Sequence, residues 1–184
     1  MARHCHVGFY RRHLPHWDAP GRTLFVTWRL HGAPLPPTPR SGLHGGPLFA
    51  WRDRADDTAE HGARWLGQPE IAAMVVAALE YGERELGLYK IHAFAVMPNH
   101  VHVLWTLAVP LARATGAIKG YTAQRANQAL GRSGPFWQRE SFDRVVRSAG
   151  ESARIRRYIE WNPVHAGLAN QPRDWPWSSA RRVG

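Results

Sequence analysis

The sequence predicts an α+β fold, an antiparallel sheet with helices packed mainly on one face. Apolar and polar residues alternate in several short segments, as they do in half-buried strands. Between those segments, apolar residues recur at helical spacing instead. A tight turn at Pro98-Asn99 joins two of the strands into a hairpin, because Pro suits the second turn position and Asn the third.

Four strands are predicted from the alternating segments. Residues 23–30 separate into an apolar side that begins at Leu24 and a mixed side that begins at Thr23. The other predicted strands are 89–97, 100–107 and a short strand at 142–146. With helices between the outer pairs, the order is strand, helix, strand, strand, helix, strand, helix. This order favours an antiparallel sheet covered on one face.

Three helices are predicted, partly from the signals at their ends. The first begins at Pro69, a residue suited to the first helical position, and Gly87 marks its end. The third begins at the capping box Ser148-Ala149-Gly150-Glu151 and must stop at Asn162, because Pro163 disfavours helical geometry in the residue before it. The second spans 110–130, with Leu111, Ile118, Ala129 and Leu130 inward and Arg113, Lys119 and Arg125 outward.

The 184 residues are most simply one domain, 1–184, with enough chain to bury a core. Residues 1–20 are basic and interrupted by two prolines, and we interpret them as a loosely held arm. Residues 33–68 are rich in Pro and Gly and poor in periodic apolar residues. We interpret this segment as a long connection within the domain, a type of segment that often carries function.

The charge of the chain indicates a polyanionic partner. Its formal net charge is +10 with His neutral, and all but two of its basic residues are arginine, which grips phosphate with a planar fork. A single cysteine, Cys5, excludes an internal disulfide and cysteine-rich zinc sites. No apolar stretch is long enough to span a membrane and no signal peptide is recognisable, so we expect a cytoplasmic, nucleoid-associated protein.

Two histidines share one face of the third predicted strand. Because side chains alternate along a strand, His100, His102 and Leu104 point to one side, while Val101 and Val103 point to the core. Two adjacent imidazoles can hold one metal ion when a third group joins them, although such a pair can also arise by chance among eleven histidines.

On the last helix Tyr158 and Asn162 are four residues apart and hence neighbours. An Asn oxygen can complete such a site, and a tyrosine oxygen can attack a phosphate held there. The alternative is that Tyr158 is an aromatic residue of the core and Asn162 a residue at a helix end.

Several motifs, in order, resemble one family. The segment Pro98-Asn99-His100-Val101-His102-Val103-Leu104-Trp105 is similar to the paired-histidine motif of the single-tyrosine HUH transposases. Segments 134–144 (GPFWQRESFDR), 157–168 (RYIEWNPVHAGL) and 177–179 (WSS) resemble their REP-associated tyrosine transposase branch. The likeness runs from about Thr23 to Ala180. It departs at His165, where relatives often have Arg, and in the Pro/Gly-rich segment.

The resemblance implies a ferredoxin-like fold and a set of roles. It implies that His100, His102 and Asn162 bind a divalent ion and that Tyr158 cleaves single-stranded DNA and becomes linked to the 5′ phosphate. The ion would be Mg²⁺ or Mn²⁺, and the sequence does not choose between them. The expected partner is single-stranded or hairpin DNA, bound by a monomer or a homodimer. Tyr121 competes with Tyr158 as nucleophile, but the residue four positions later is Arg125, which cannot bind metal.

DNA capture needs basic and aromatic side chains. The candidate phosphate contacts are Lys119, Arg125, Arg139, Arg144 and Arg147. The candidates for base stacking are Trp51, Trp65, Trp137, Trp161, Trp175 and Trp177, of which at least half are expected in the core. The predicted function is metal-dependent nicking and joining of hairpin-bearing single-stranded DNA. Two alternatives stay open: a DNA-binding protein that no longer cuts, and a metal-dependent hydrolase that uses water.

Overall fold

The computed structural model describes residues 8–11, 15–18, 20–33 and 62–182. Its strands are β1 (Gly8–Arg11), β2 (Pro15–Asp18), β3 (Thr23–Leu30), β4 (Tyr89–Val96), β5 (His100–Leu107) and β6 (Trp137–Val145). Its α-helices are α1 (Pro69–Arg84), α2 (Leu111–Ala129) and α3 (Ala149–His165).

Four strands form one antiparallel sheet in the order β4-β5-β3-β6. Helix α1 connects β3 to β4 across β5, and helix α2 connects β5 to β6 across β3. This is the predicted ferredoxin-like α+β arrangement, and the hairpin at Pro98-Asn99 is the predicted junction of β4 and β5. The Met97 amide donates to the His100 carbonyl across that turn, at 2.9 Å.

The two faces of the sheet bury different residues, as the period of two predicts. One face carries Leu24, Val26 and Trp28 of β3 with Val103 and Trp105 of β5, and it packs against α1 and α2. The opposite face carries a smaller apolar cluster, which packs against α3 and contains Phe25, Ala93, Ala95, Met97, Leu104 and Ile159. Among the described α-helices, α1 and α2 therefore lie on one face and α3 on the other.

Helix α1 begins at the predicted residue and buries one apolar stripe. Pro69 is its first residue, Ile71, Val75 and Leu79 are fully buried, and Gly87 beyond its end has a φ of +57°. Gly82 lies where α1 crosses β4, and a side chain there would collide with the Tyr89 hydroxyl, which donates to Leu79 O at 3.1 Å.

Helix α3 corrects one expectation. Ser148 caps it as predicted, accepting from the Glu151 amide at 3.1 Å, but the helix continues through Pro163 to His165 instead of stopping at Asn162. The proline removes one backbone donor and only disfavours the conformation before it. The last turn is closed by a bond from Leu168 N to Pro163 O at 2.9 Å, and Gly167 has a φ of +69°.

Other differences are local. Helix α2 is one residue shorter at each end than predicted, and Ala126, not Ala129, takes the buried position in its last turn. Strand β6 begins five residues earlier than the predicted 142–146. Part of the arm of residues 1–20 forms an antiparallel pair of strands, β1 and β2, which the sequence did not predict. Residues 34–61 of the long connection lie outside the described residues.

Within the described ranges of the chain, no helix is both long and apolar enough to cross a membrane.

Candidate metal and nucleophile site

His100 and His102 converge on the sheet face that α3 partly covers. Both side chains are fully buried, and their Nε2 atoms lie 2.9 Å apart. Strand alternation brings them to the same side, and the ring planes are inclined by 70° so that the two Nε2 atoms approach each other. The predicted sharing of one face is therefore confirmed.

The other nitrogen of each ring has a partner of its own. His100 Nδ1 lies 2.6 Å from Asn99 Oδ1, and His102 Nδ1 lies 2.8 Å from Thr27 Oγ1. An amide oxygen only accepts, so His100 carries its proton on Nδ1 and its Nε2 presents a lone pair. A Thr hydroxyl can accept in the same way from His102. Such partners fix the tautomer and the ring orientation of metal-binding histidines.

This arrangement fits a bound divalent ion. Imidazole nitrogens bind such metals at about 2.1 Å, so two ligands at right angles are about 3 Å apart, close to the separation of the two Nε2 atoms. Among the described residues, no third His, Cys, Asp or Glu completes a cluster with them. A third protein ligand among these residues would therefore come from another side-chain type, as predicted for Asn162.

Helix α3 brings Tyr158 and Asn162 to this face. The Tyr158 ring centre lies 6.0 Å from that of His102, and Tyr158 packs edge-on against Phe25 at 6.4 Å. Asn162 is 2% exposed, and its Nδ2 donates to Tyr158 Oη at 3.4 Å. The amide oxygen is then the atom with which Asn162 can bind a cation. The four predicted site residues thus form one neighbourhood, while their roles stay predictions.

Tyr121 lies on the other side of the sheet. It is 53% exposed on α2 and borders a groove with Met74 and Ala78 of α1, both on the face opposite the histidines. The geometry therefore favours Tyr158 over Tyr121 as the nucleophile.

The predicted DNA contacts separate into two groups. Arg144 is paired in register with Phe25, so it lies on the histidine face, where it forms an ion pair with Glu151 of α3. Arg147 is exposed just before α3, and its amide donates to the other Glu151 oxygen at 2.8 Å. Both side chains flank the N-terminal end of the helix that carries Tyr158.

The remaining three lie elsewhere. The Lys119 ammonium donates to the carbonyl oxygens of Gln138 at 2.7 Å and Arg139 at 3.2 Å, and burial lowers its pKa to about 8 although nearby Glu140 raises it. Lys119 thus ties α2 to β6. Arg125 is exposed on α2 with its guanidinium near Gln128, and Arg139 is exposed on β6.

The tryptophans are mostly structural. Trp137 is buried, Trp65 stacks on Phe136 at 5.5 Å, and Trp177 packs partly buried against the core. Trp175 Nε1 donates to Val96 O at 3.0 Å. Trp161 alone among the described candidates is well exposed, at 39%, and Trp51 lies outside the described residues.

The tail after α3 contacts both β4 and α3. Val96 N donates to Trp177 O at 2.9 Å, and Phe94 N donates to Ser179 Oγ at 3.0 Å, along the outer edge of β4. The Ser179 hydroxyl also lies 3.3 Å from Phe94 O and 3.5 Å from Glu160 Oε1 on α3. One hydroxyl thus joins the sheet edge to the helix turn between Tyr158 and Asn162.

The sequence does not predict the contacts of three residues at or near this site. For Thr27 it predicts only the non-core side of a strand, because its position opposite His102 depends on which strands pair. For Asn99 it predicts only a turn. Ser179 belongs to the motif Trp177-Ser178-Ser179, which is the only sequence signal for it.

Several known proteins are similar to this chain. The family model described as IS200-like transposase matches residues 82–162, which include both histidines, Tyr158 and Asn162. A REP-associated tyrosine transposase of Escherichia coli (strain K12) is 29% identical over 94 residues, 51% of this chain and 56% of that protein. This chain is similar to REP-associated tyrosine transposases.

Two further matches concern the same group. A relative in Haemophilus influenzae (strain ATCC 51907 / DSM 11121 / KW20 / Rd), provisionally given that name, is 28% identical over 102 residues, 49% of this chain and 58% of that protein. The chain spans little more than half the length of either curated relative. A solved REP-associated tyrosine transposase bound to a REP hairpin has a TM-score of 0.59 and 22% identity, and covers 94% of this chain and 82% of that one. At this identity the likeness establishes the fold.

Proposed function

We propose that this chain cuts and rejoins single-stranded DNA at hairpin-forming repeats through a covalent bond between Tyr158 and a 5′ phosphate. The observation that carries the proposal is the position of Tyr158, on a helix beside the paired histidines. The names of its relatives, and the REP hairpin bound by the solved structure, support transposase chemistry and a hairpin ligand.

Tyr158 supplies the nucleophile. Its oxygen would attack the phosphorus and displace the 3′ oxygen, which leaves as a 3′ hydroxyl once it takes up a proton. The phenol loses its own proton in this step. Because the ordinary pKa of a tyrosine phenol is about 10, this deprotonation is unfavourable near neutral pH and must be assisted. The new ester keeps the energy of the broken phosphodiester, so a 3′ hydroxyl can later displace the tyrosine and reseal the strand.

The histidines and Asn162 would hold a divalent cation. When bound, such an ion neutralises charge on a non-bridging phosphate oxygen and makes the phosphorus a better target. With the proton of each ring on Nδ1, Thr27 and Asn99 would keep both imidazole lone pairs directed at one point, which supports this proposal. Because Tyr158 and Asn162 lie on the same helix, α3, they would reach the phosphate together. This arrangement provides the alignment that phosphoryl transfer requires.

Arginines on the histidine face would hold the strand. Arg144 and Arg147 flank the start of α3, at the end of the helix away from Tyr158, where a phosphate backbone leading to the site would pass. Exposed Trp161 offers a face for stacking on an unpaired base, an interaction worth about 1–3 kcal/mol.

A covalent protein–oligonucleotide band on a denaturing gel tests this function. A labelled hairpin oligonucleotide with single-stranded flanks is incubated with Mg²⁺ or Mn²⁺, and we expect an adduct in wild type and in Tyr121→Phe but none in Tyr158→Phe. Peptide mapping of the trapped adduct should locate the nucleotide on Tyr158.

Two other outcomes separate the alternative functions. Hairpin binding with no cleavage under any metal would indicate a DNA-binding protein that does not cut. Cleavage that releases a free 5′ phosphate with no adduct would indicate a water nucleophile, and an adduct at Tyr121 would overturn the assignment of Tyr158.

A further inference from the structure

Arg29 of β3 lies directly across from His100 of β5. The two residues are partners in the antiparallel pairing of these strands, so their side chains are on the same face of the sheet. The β-carbons of such partners are about 5 Å apart. The neighbouring pair shows the result, because Thr27 is the partner of His102 and its hydroxyl lies 2.8 Å from His102 Nδ1. Arg29 is half-buried, so a basic side chain borders the fully buried His100.

The pairing of β3 with β6 is interrupted at the same residue. The neighbours of Arg29 along β3 pair with Ser141 and Trp137, so residues 138–140 stand opposite Arg29 alone. A β-bulge of this kind bends its strand and redirects side chains, and bulges are frequent beside active sites. The regular sheet is therefore broken beside Arg29, at the level of the histidine pair.

Contacts from other parts of the chain hold this bulge in place. The Lys119 ammonium of α2 donates to the carbonyl oxygens of Gln138 and Arg139, at 2.7 and 3.2 Å, within the stretch where the register with β3 is broken. The Gln138 side chain donates to Ala33 O at 3.0 Å, just beyond the end of β3. Because its backbone carbonyls are satisfied in this way, the bulge is a fixed part of the fold.

The backbone next to Arg29 is joined to the turn that orients His100. Leu30 N donates to Asn99 O at 2.9 Å, and the side-chain oxygen of Asn99 lies 2.6 Å from His100 Nδ1. Arg29, Asn99 and His100 thus belong to one connected unit. The Arg29 side chain therefore starts from a defined position beside the predicted metal site, as a group that stabilises a transition state must.

The positive charge of Arg29 is unfavourable beside a bound metal ion unless an anion joins them. A guanidinium is always protonated, and two cations at short range repel each other. A phosphate removes this repulsion, because one of its non-bridging oxygens can bind the ion while the other accepts from the guanidinium. Arg144 lies farther along the face, since its partner on β3, Phe25, is four residues from Arg29. The guanidinium of Arg144 also forms an ion pair with Glu151.

We propose that Arg29 binds the scissile phosphate through its guanidinium and stabilises the charge that develops there during cleavage. Arg29 is not among the phosphate contacts that the sequence predicts, and the inference rests on the proposed function. The guanidinium takes one non-bridging oxygen, and the ion held by the histidines takes the other. Because a guanidinium keeps its charge throughout, Arg29 transfers no proton, and the deprotonation of Tyr158 depends on another group.

The salt dependence of hairpin binding in EDTA tests the phosphate contact without cleavage. On single strands, the logarithm of the affinity falls with the logarithm of the salt concentration by about 0.7 per phosphate neutralised. For an oligonucleotide hairpin with single-stranded flanks, Arg29→Gln should therefore make this slope shallower by about 0.7, and Arg29→Lys, which keeps the charge, should match wild type. Arg113→Gln is the control, because Arg113 is exposed on α2 at the opposite face of the sheet, and the slope should not change.

Single-turnover adduct formation with Mn²⁺ tests whether the contact is at the scissile phosphate. Removing one donor to a transition-state oxyanion slows a reaction by about 100- to 1000-fold, so Arg29→Gln should be slower than wild type by about a hundredfold or more. Arg29→Lys should recover only part of this loss, because an ammonium lacks the planar fork. DNA-free Arg29→Gln should bind Mn²⁺ at least as tightly as wild type, because the change removes a positive charge near the ion.

Three results would overturn the inference: an unchanged salt slope, an unchanged rate of adduct formation, or weaker Mn²⁺ binding, which would mean that Arg29 only supports His100. Circular dichroism melting verifies that each variant folds, and if Arg29→Gln does not fold, the rate of Arg29→Lys decides, since a wild-type rate excludes the contact. Failure of wild type to form any adduct would instead refute the proposed function. The salt slope would then decide by itself whether Arg29 contacts phosphate.

Discussion

His100 Nε2 and His102 Nε2 lie 2.9 Å apart, on a face of the sheet from which solvent is excluded at both rings. Two neutral imidazoles can share a proton at that distance, or direct two lone pairs at one cation. Asn99 Oδ1 must accept from His100 Nδ1, which leaves His100 Nε2 unprotonated in the neutral ring. His100 Nε2 therefore presents a lone pair, as the predicted metal site requires.

Replacing either histidine should abolish metal binding. For His100→Ala and His102→Ala we expect Mn²⁺ affinity, followed by electron paramagnetic resonance, to fall by at least a hundredfold because one of few ligands is lost. Hairpin binding should stay within about threefold of wild type, since phosphate contacts supply most of it. His92→Ala is the matched control: His92 is exposed on β4 and contacts Thr106 at 2.7 Å. Unchanged Mn²⁺ affinity in the strand variants would remove the metal site.

Thr27 should tune that affinity through His102. Thr27→Val keeps the shape of the side chain but removes the oxygen 2.8 Å from His102 Nδ1, so the ring loses its fixed tautomer. Loss of such a partner typically weakens metal binding by about 10–100-fold. Thr23→Val on the same strand and the same face is the control, because Thr23 contacts Thr106 instead, at 2.8 Å. Equal Mn²⁺ affinities in the two variants, measured by calorimetry, would contradict this role.

Local patterns predicted most of the fold because each is set by neighbours in the sequence. Alternation located β3 and β5, and the Ser148 cap and Pro69 located the starts of α3 and α1. The predicted end of α3 at Asn162 was wrong. A proline only disfavours helical geometry in the residue before it, and the closing turn at Gly167 can outweigh that preference.

The candidate site was predictable only in part, for a similar reason. His100 and His102 share a face through strand geometry, and Tyr158 and Asn162 are neighbours through helix geometry. That Thr27 lies opposite His102 depends on β3 pairing with β5, a contact between residues 75 apart in the sequence. Lys119 was expected outward from its position on the helix, but the carbonyls of Gln138 and Arg139 that it meets come from another element.

Ser179 should set the position of α3 over the histidines. Ser179→Ala removes the hydroxyl that contacts both β4 and Glu160, and we expect adduct formation on the hairpin oligonucleotide to slow by roughly tenfold or more, because small displacements of a nucleophile are costly. Hairpin and Mn²⁺ binding should not change, and Ser179→Thr should restore much of the rate.

Ser178→Ala is the matched control for that variant. Ser178 is also buried, at 2% exposure against 9% for Ser179, but its hydroxyl donates locally, to Trp175 O at 3.4 Å. If both alanine variants slow adduct formation equally, the effect comes from the tail as a whole and the specific role of Ser179 is wrong.

Lys119 should make stability depend on pH at mildly alkaline values. Its pKa is lowered from 10.5 to about 8, mainly by burial, so between these values the unfolded chain binds a proton that the folded chain has released. The free energy of unfolding therefore rises with pH between about 8 and 10.5, and this contribution of Lys119 is lost as the pH falls through about 8. Above pH 10 Tyr89 acts in the opposite direction, because burial raises the pKa of its phenol.

The comparison of wild type with Lys119→Met between pH 8 and pH 10 isolates this effect. Urea unfolding should show the free energy of unfolding of wild type rising by about 2 kcal/mol more than that of Lys119→Met, since each pKa unit corresponds to about 1.4 kcal/mol. At pH 8 and below, wild type keeps the hydrogen bonds from Lys119 to the carbonyls of Gln138 and Arg139, at 2.7 and 3.2 Å, which the variant lacks. The absolute difference in the free energy of unfolding between the two proteins therefore does not test the pKa. The dependence of that free energy on pH does, and parallel curves for the two proteins would mean that Lys119 keeps an ordinary pKa in the fold.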